Sequence, residues 1–490
     1  MIVFCAAFRF SEGGVFSALA HRFRRLCTII CAVAPLVLEG RTLFMRYEAE
    51  IVICGAGTAG SVAAIAAADA GRDVLVIEQF GSAGGSSTLA LVTPLMNTCI
   101  PGNPMGSYVS REINRRMLAL GAAAGRGDCW FDPEMLKIVL NEMLMERGVR
   151  VLYHTFLIGA SREGGRVTKV EIANKSGRGE VAGKIFIDAT GDADVVRALG
   201  LETLHGSEED GKNQPMSLRY LLGGVDTQAF WDFLESLSHP EDAPRPCPEN
   251  YDGAVTLNPG KHWPLGPLFL QAIDEGVLTR EDALYWQFFT VPGRRDAIAF
   301  NCPEFFDFHD ADDADNQSRV QVEGKRAILR QLSFYRARIP GFEHAYLSEI
   351  SAMVGVRESR RAVTDHILTA EEILGRARFD DAVCRCNYPV DVHGRTLKTY
   401  ELTGNDREPY YEIPLRCLIV RDAENLLVAG RNLGSEFIAQ SSARIIPTCR
   451  AMGEAAGLAA ALSVQEQKSV REIGGKRVRE EMARMGADEE

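Results

Sequence analysis

The segment AEIVICGAGTAG, residues 49–60, decides the fold. Its first six residues have the apolar, β-rich pattern of a short strand, and glycines follow at Gly55, Gly57 and Gly60. The alanine-rich stretch 61–70 has high helix propensity, and DVLVIE at residues 73–78 predicts a second buried strand. A strand, a glycine-rich turn, a helix and a second strand within about 30 residues predict a Rossmann-type βαβ unit.

The three glycines have separable roles in such a unit: a tight turn, close approach of the backbone to a pyrophosphate, and close packing of the helix on the strand. The helix N-terminus presents unpaired N–H groups and a partial positive charge to the phosphates. An acid at the end of the second strand accepts hydrogen bonds from ribose hydroxyls. The residues predicted to bind a dinucleotide here are Gly55, Gly57, Thr58, Ala59, Gly60, Glu78 and Gln79.

Composition limits the class of protein. The chain has 490 residues, of which 46% are hydrophobic and 24% charged, and this suits a soluble globular protein with more than one domain. The net charge of −12 argues against a nucleic-acid partner, because phosphate binding relies on clustered Lys and Arg. The twelve cysteines are scattered, so we expect reduced thiols, a cytoplasmic protein and no metal site.

Residues 1–44 need a separate interpretation. Arg22, Arg24 and Arg25 precede an apolar run, 27–38, that superficially resembles a signal peptide but is too short to span a bilayer. The nucleotide-binding strand starts soon after Met45. We therefore expect residues 1–44 to be a non-native or disordered extension, with an export or membrane-anchor segment as the alternative.

Further patterns predict the domain organisation. Asp132 and Pro133 indicate the start of a helix that ends near Arg147, and strands are predicted at 149–158, 167–174 and 184–188. Prolines cluster and aromatic residues are frequent between about 205 and 405. The predicted fold is a three-layer, Rossmann-like α/β cofactor domain at 45–205 and 405–465. It is interrupted by an α+β substrate domain at 206–404 and followed by a charged, solvated helix or tail at 466–490.

Three later segments predict close approach to a long, extended cofactor. Small or hydroxylated residues follow the second strand at 84–88, and the strand ends at 189–191 and 430–432 provide two more such points. Contacts separated by hundreds of residues suit FAD better than NAD. The additional residues predicted to bind FAD are Gly84, Gly85, Ser86, Ser87, Thr88, Ala189, Thr190, Gly191, Gly430, Arg431, Asn432, Ile446 and Thr448.

These motifs resemble those of FAD-dependent oxidoreductases with a flavin domain of the glutathione-reductase/succinate-dehydrogenase flavoprotein type. The resemblance covers roughly 48–465 and is specific at 55–88, 187–194 and 413–457. Flavoproteins of the succinate-dehydrogenase group commonly attach FAD to a histidine near the 84–88 position, and no histidine lies between His21 and His154. The resemblance therefore implies non-covalent FAD. Relatives often carry a His-Glu-Ala-His-like stretch where this chain has FIAQ at 437–440, so that histidine base is not carried over.

The resemblance also places the helix that starts at Pro447 beside the isoalloxazine ring. Its N-terminus and Arg444 would stabilise negative charge on a reduced flavin. We expect at least one of Arg444, Arg361 and His366 to face the flavin and to be catalytic. Other candidates, each more often structural, are His262, Trp263, Tyr285, Trp286, His309 and Arg360.

The predicted function is hydride transfer between flavin N5 and a small polar organic substrate, such as a carbohydrate or a hydroxy acid. A separate electron partner or oxygen completes the reaction, because no second GxGxxG motif follows a strand. The alternatives are a flavin monooxygenase or halogenase and a non-catalytic electron-transfer or scaffold subunit. Substrate identity, direction and oligomeric state stay open, and we expect no membrane partner.

Overall fold

The quoted segment folds as the pattern predicts. In the computed structural model, β1 (Met45–Cys54) is followed by α1 (Thr58–Asp69) and β2 (Val74–Ile77), and β1 pairs in parallel with β2. The structure describes residues 44–96, 106–124, 130–237, 252–255, 265–306, 308–393 and 410–487. The expectation for residues 1–44 therefore lies outside the described residues, except for Phe44, where they begin.

Many short elements follow along the chain. The remaining strands are β3 (Ala123–Ala124), β4 (Trp130–Phe131), β5 (Arg150–Leu152), β6 (Phe156–Glu163), β7 (Arg166–Asn174), β8 (Gly177–Asp188), β9 (Thr203–His205), β10 (Met216–Ser217), β11 (Tyr220–Gly223), β12 (Asp252–Val255), β13 (Trp286–Val291), β14 (Arg294–Phe300), β15 (Glu304–Phe305), β16 (Tyr346–Ile350), β17 (Arg360–Ala362), β18 (Ala382–Cys386), β19 (Tyr411–Pro414) and β20 (Leu426–Val428). The remaining α-helices are α2 (Tyr108–Ala119), α3 (Pro133–Glu146), α4 (Asp194–Ala198), α5 (Thr227–Leu237), α6 (Gly266–Asp274), α7 (Ala314–Arg338), α8 (Ala370–Leu374), α9 (Phe437–Ala443), α10 (Ile446–Glu466) and α11 (Val470–Arg484).

The larger sheet has seven strands in the order β5-β2-β1-β8-β7-β6, and β20 also pairs with β8. The long strand β8 makes this possible, because its first half pairs with β7 and its last three residues pair with β20. Strands β5, β2, β1, β8 and β20 are mutually parallel. Helices α1 and α10 pack against one face, and a separate apolar cluster covers the other face. This arrangement confirms the predicted Rossmann-like α/β class.

A second sheet lies in the interrupting segment, with the order β12-β13-β14-β11-β16 and antiparallel pairing. Its core is aromatic: Trp286 and Phe288 pack with Phe300, and Tyr335 from α7 stacks on Phe300 at 5.2 Å between ring centroids. This core is distinct from the two cores of the larger sheet. An α+β layer therefore interrupts the Rossmann-like part, as the sequence predicts.

Two elements differ from the sequence prediction. The expected strand 149–158 is divided into β5 and β6, because the chain turns at His154, whose φ is +51°. The C-terminal helix α11 is not a solvated tail, since Val470, Ile473, Val478 and Met482 are buried in the main core. Its many charged residues make the narrow apolar face hard to recognise in the sequence. Helix α3 begins as predicted, with the Asp132 side chain accepting from the Glu134 and Met135 N–H groups.

Candidate functional site

A cavity of about 380 Å³ opens where the parallel strands end. The carboxyl ends of β1, β2, β8 and β20 meet at this edge of the sheet, where open α/β sheets bind their ligands. The opposite wall comes from the second sheet and from segments near 353–357 and 388–393. The cavity therefore brings together the two parts of the fold.

The glycine-rich turn closes against the end of β8. Gly55 has φ of +95°, and a Cβ there would lie 2.5 Å from the carbonyl oxygen of Ala189. A Cβ on Gly60 would lie 1.9 Å from the Gly55 carbonyl oxygen, so Gly60 serves close packing. Gly57 lines the cavity and caps α1 without a side-chain hydrogen bond. The first N–H groups of α1 are thereby available to an anionic group.

Glu78 is nearly buried and fixes the turn from the far side. Its Oε2 accepts from the Ala56 N–H at 2.7 Å and its Oε1 accepts from the Phe80 N–H at 2.9 Å. Burial raises the pKa of Glu78, and the backbone hydrogen bonds oppose that rise. Each carboxylate oxygen has a further lone pair for a ribose hydroxyl. Gln79 follows it on the cavity wall.

Segment 84–88 is divided between the cavity and the interior. Gly85 and Ser86 line the cavity. A Cβ on Gly85 would lie 2.8 Å from Cα of Gly57, so this loop touches the glycine-rich turn. Ser87 is buried, and its Oγ lies 3.1 Å from Oγ1 of Thr58. The inner residues of this loop therefore hold the outer ones in place.

Asn432, which follows β20, hydrogen-bonds to Asp188 at the end of β8. Oδ2 of Asp188 accepts from the Val195 N–H at 2.8 Å, and Asn432 donates to the Asp188 carbonyl oxygen at 3.0 Å. Arg431 lies directly against Gly191, where a Cβ would approach Cζ to 2.8 Å. Its Nη2 donates to Asp192 at 2.7 Å, while its buried Nε has no hydrogen-bond partner among the described residues.

The structure brings most of the predicted cofactor residues to this cavity and leaves others behind its wall. The predicted residues that line it are Gly55, Gly57, Thr58, Ala59, Glu78, Gln79, Gly85, Ser86, Ala189, Thr190, Gly191, Gly430, Arg431 and Ile446. The predicted residues that do not line it are Gly60, Gly84, Ser87, Thr88, Asn432 and Thr448.

Of the three residues predicted to be catalytic, Arg444 lines the cavity. Its Nη2 donates to the carbonyl oxygen and to Oδ2 of Asp391, both at 3.1 Å. Ile446 begins helix α10 two positions later, without a side-chain cap, and Cys449 in its first turn also lines the cavity. A cation and a helix N-terminus are thus placed at one end of the cavity.

Arg361 and His366 do not line the cavity. The Arg361 guanidinium is buried and donates to the carbonyl oxygens of Ser435 and Gly206 at 2.9 and 3.0 Å. Nε2 of His366 lies 2.9 Å from Oε1 of Glu372. Both side chains connect neighbouring segments of the fold.

The remaining candidates fall into different places. Tyr285 lines the cavity, whereas Trp286 is buried in the aromatic core and donates to the Tyr335 hydroxyl at 2.7 Å. Arg360 pairs with Asp194 at 2.7 Å. His309 does not line the cavity, and His262 and Trp263 lie outside the described residues.

The sequence prediction missed a cluster around His393, which lines the cavity near Arg444. Nδ1 of His393 lies 3.1 Å from Oε1 of Glu304, and Nε2 lies 3.2 Å from Oδ1 of Asp391. Arg357 pairs with the same Glu304 carboxylate through Oε1. Burial lowers the pKa of His393, but the two carboxylates outweigh burial and hold that pKa above its ordinary value. This histidine holds a proton that a bound molecule could exchange.

The residues present fit the FAD that the resemblance implies. The glycine turns leave room for a pyrophosphate at the uncapped start of α1, and Glu78 lies where a ribose would accept or donate hydrogen bonds. At the other end, the buried Nε atoms of Arg431 and Arg444 have no acceptor in the described part of the chain. Both arginines line the cavity, so their remaining guanidinium N–H groups are available to acceptor oxygens or nitrogens of the cofactor.

The described ranges contain neither a cluster of metal-ligating side chains nor a helix suited to span a membrane. Within them, no three His, Cys, Asp or Glu side chains come together as a cation site. None of the helices in the same ranges combines the length and apolarity needed to cross a bilayer.

The chain matches the family model described as FAD dependent oxidoreductase over residues 50–482. It is 32% identical over 171 residues to digeranylgeranylglycerophospholipid reductase 1 of Methanopyrus kandleri, a match that covers 31% of this chain and 43% of that protein. The chain therefore spans less than half the length of this curated relative.

Among solved structures, the chain is similar to a geranylgeranyl bacteriochlorophyll reductase-like protein of Thermoplasma acidophilum. The identity is 12%, the TM-score is 0.45, and 90% of this chain and 83% of that chain are covered. It is also similar to p-nitrophenol 4-monooxygenase of Pseudomonas putida, with 10% identity, a TM-score of 0.44, and coverage of 90% and 84%.

Proposed function

Because the chain belongs to the family of FAD-dependent oxidoreductases, we propose that it transfers a hydride between FAD and a small polar substrate, with His393 exchanging the substrate's proton. FAD supplies the hydride-accepting or hydride-donating centre, N5, when it is bound. The observation that carries the proposal is that the glycine-rich turns and the His393 cluster line the same cavity. The separate donor or acceptor of electrons is another molecule or oxygen.

Removing a hydride from a C–H bond beside a hydroxyl or amine also releases a proton, and the reverse reaction consumes one. His393 is suited to this exchange because the neighbouring carboxylates raise its pKa and so favour the protonated ring. The proton enters or leaves at Nε2, which faces Asp391. Glu304 holds Nδ1 and so fixes the plane of the ring.

Arg444 and the start of α10 contribute a positive electrostatic environment at the same end of the cavity. A fixed cation and an uncapped helix N-terminus favour negative charge in a site that contains little water. Arg444 is also held by Asp391, the partner of His393. Asp391 therefore connects Arg444, which stabilises negative charge, with His393, which exchanges the proton.

We further propose that FAD binds without a covalent bond and that the protein is cytoplasmic. Each of the six cysteines that the structure describes is buried and free, which suits a reducing compartment. Acid precipitation of the purified protein is expected to release all flavin into the supernatant. Flavin retained in the washed pellet would contradict non-covalent binding.

The substrate class expected from the sequence, a carbohydrate or a hydroxy acid, receives no support from the relatives' names. The direct test mixes the flavin-loaded protein anaerobically with sugars, hydroxy acids, amines and enoates and follows the flavin absorbance. Bleaching identifies a substrate that is oxidised. Reoxidation of the dithionite-reduced protein by an enoate identifies one that is reduced.

The control for this screen is His393→Gln, which we expect to bind FAD normally and to react much more slowly. If no compound changes the flavin in either direction, hydride exchange with a small molecule is wrong and the electron-transfer alternative takes its place. If the reduced protein consumes oxygen and hydroxylates a compound, the monooxygenase alternative is correct.

A further inference from the structure

Arg219 lies in the short link between β10 and β11 and lines the cavity opposite the glycine-rich turns. Only 8% of the residue is exposed. No residue that the structure describes gives its guanidinium a hydrogen bond or an ion pair, and its buried Nε has no acceptor. A buried guanidinium without a counter-charge is costly, so its presence on a cavity wall calls for a ligand.

The neighbouring carboxylates are already paired with other cations. Glu304 is shared by Arg357 and His393, and Asp391 is shared by Arg444 and His393. These two carboxylates are therefore already used, and the positive charge of Arg219 is left over.

The pKa of Arg219 confirms that its charge is poorly compensated. Burial, followed by the positive charge of Arg357, lowers that pKa to about 9. A bound anion would oppose both effects and favour the charged guanidinium, because it supplies a counter-charge.

Neutral polar groups lie around this position and hydrogen-bond to one another rather than to Arg219. The Tyr285 hydroxyl donates to Oε1 of Gln287 at 2.6 Å, and Asn301 donates to the same oxygen at 2.8 Å. These groups hydrogen-bond to one another and line the cavity beside Arg219, while Oδ1 of Asn301 has no partner among the described residues. They form a neutral polar wall beside the charged guanidinium of Arg219.

We propose that Arg219 binds a carboxylate group of the substrate in this cavity. The inference rests on the proposed function, since it specifies the substrate class of that site. A guanidinium offers two parallel N–H donors that match the two oxygens of a planar carboxylate. Of the substrate classes considered from the sequence, a hydroxy acid meets this requirement and a neutral carbohydrate does not.

The test compares carboxylates with their uncharged amides. The flavin-loaded protein is titrated with glycolate and glycolamide, and with benzoate and benzamide, and binding is followed by flavin difference spectra and by thermal shift. We expect at least one carboxylate to bind about tenfold to a hundredfold more tightly than its amide. Arg219→Met is expected to abolish that preference, and Arg219→Lys to retain part of it. Arg319→Met, at an exposed position on α7 where Arg319 pairs with Glu323, is the control.

Several outcomes would overturn the inference. They are equal binding of each carboxylate and its amide, inorganic phosphate binding more tightly than any carboxylate, and an unchanged carboxylate preference in Arg219→Met. If Arg219→Met does not fold, Arg219→Lys decides the matter, because an unchanged preference there excludes recognition by the guanidinium fork.

The same experiment separates this inference from the proposed function. A carboxylate preference that depends on Arg219 but is accompanied by no flavin bleaching or reoxidation would uphold the anion site and contradict hydride exchange. Turnover of an uncharged substrate at a rate that Arg219→Met does not change would uphold hydride exchange and contradict the anion site. The flavin spectrum and FAD content of Arg219→Met are expected to match those of the wild type, because Arg219 serves the substrate.

Discussion

Nδ1 of His393 lies 3.1 Å from Oε1 of Glu304, a residue 89 positions earlier in the chain. Glu304 belongs to β15, whereas His393 belongs to the segment that follows β18. Burial acts to raise the pKa of Glu304, but Arg357 and His393 outweigh it and lower that pKa. Each partner thus favours the charged form of the other, and the titration of this pair gives the first prediction.

His393→Gln is expected to lower kcat by roughly 100-fold to 10,000-fold, the usual contribution of a general acid or base. Because the folded-state pKa of His393 is raised, its contribution to stability is fully present below the unfolded pKa of roughly 6.5. It is lost as pH rises through the folded pKa, at about 1.4 kcal/mol for each pKa unit of the shift. Urea unfolding of wild type and variant across pH measures this difference. A difference that grows with rising pH would show that the sign is wrong.

Arg444→Ala is expected to lower the flavin reduction potential by some tens of millivolts. Loss of a charge-assisted interaction of about 1.5–3 kcal/mol corresponds to about 30–60 mV for a two-electron couple. Anaerobic redox titration measures the shift, and Arg319→Ala is the control because Arg319 pairs with Glu323 on the surface of α7. A potential equal to that of the wild type would remove Arg444 from the flavin environment.

Glu78→Ala is expected to weaken FAD binding by about 1–3 kcal/mol, because a charge-assisted hydrogen bond to the ribose is lost. The variant also leaves the N–H groups of Ala56 and Phe80 without their acceptor. Glu78→Gln keeps one oxygen acceptor and should lose less. Fluorescence titration of the apoprotein with FAD gives the affinities, with Glu50→Ala as the control for a carboxylate paired with Lys184. Equal affinity in all four proteins would exclude the ribose contact.

Gly57→Ala and Gly60→Ala are expected to have opposite consequences. A Cβ on Gly57 finds its nearest neighbour at 3.8 Å, and φ there is −65°, so the apoprotein tolerates alanine. The added methyl group intrudes on the cavity and should reduce FAD affinity by about 1–3 kcal/mol.

At Gly60 the methyl group meets the backbone of Gly55, and we expect a loss of about 1–3 kcal/mol in the free energy of unfolding. Thermal unfolding of both apoproteins, with FAD titration of whichever folds, separates the two effects. Destabilisation by Gly57→Ala with unchanged FAD affinity would reverse the assigned roles.

The cofactor end of the site was predictable because its signals are local. Gly55, Gly57 and Gly60 lie within six positions, and Glu78 follows at the end of the next strand. Each can be interpreted from the geometry of one βαβ unit. Spacing alone does not distinguish a glycine that lets two elements pack closely from one that contacts the cofactor. Gly60 is therefore among the residues predicted to bind the cofactor, although it lies behind the cavity wall.

The substrate end was not predictable in the same way. His393 depends on Glu304 and Arg357, and Arg219 lies in another strand link, so no short segment contains the pattern. One local signal was available: Asp391 and His393 are two positions apart, which places both on one side of an extended chain. Arg361 carried an equally suggestive charge, but its partners in the interior are backbone carbonyl groups and Glu358.

The pairing of β20 with the last residues of β8 also determines when the site can assemble. Asn432 and Asp188, which hydrogen-bond across this junction, are separated by 244 positions. During synthesis, the glycine-rich turn leaves the ribosome long before the segment that forms the other wall. Contacts so distant in sequence form late and slowly. The nascent chain must therefore keep an apolar sheet face and an open cofactor groove until its last elements arrive, and this interval is when it would benefit most from a chaperone.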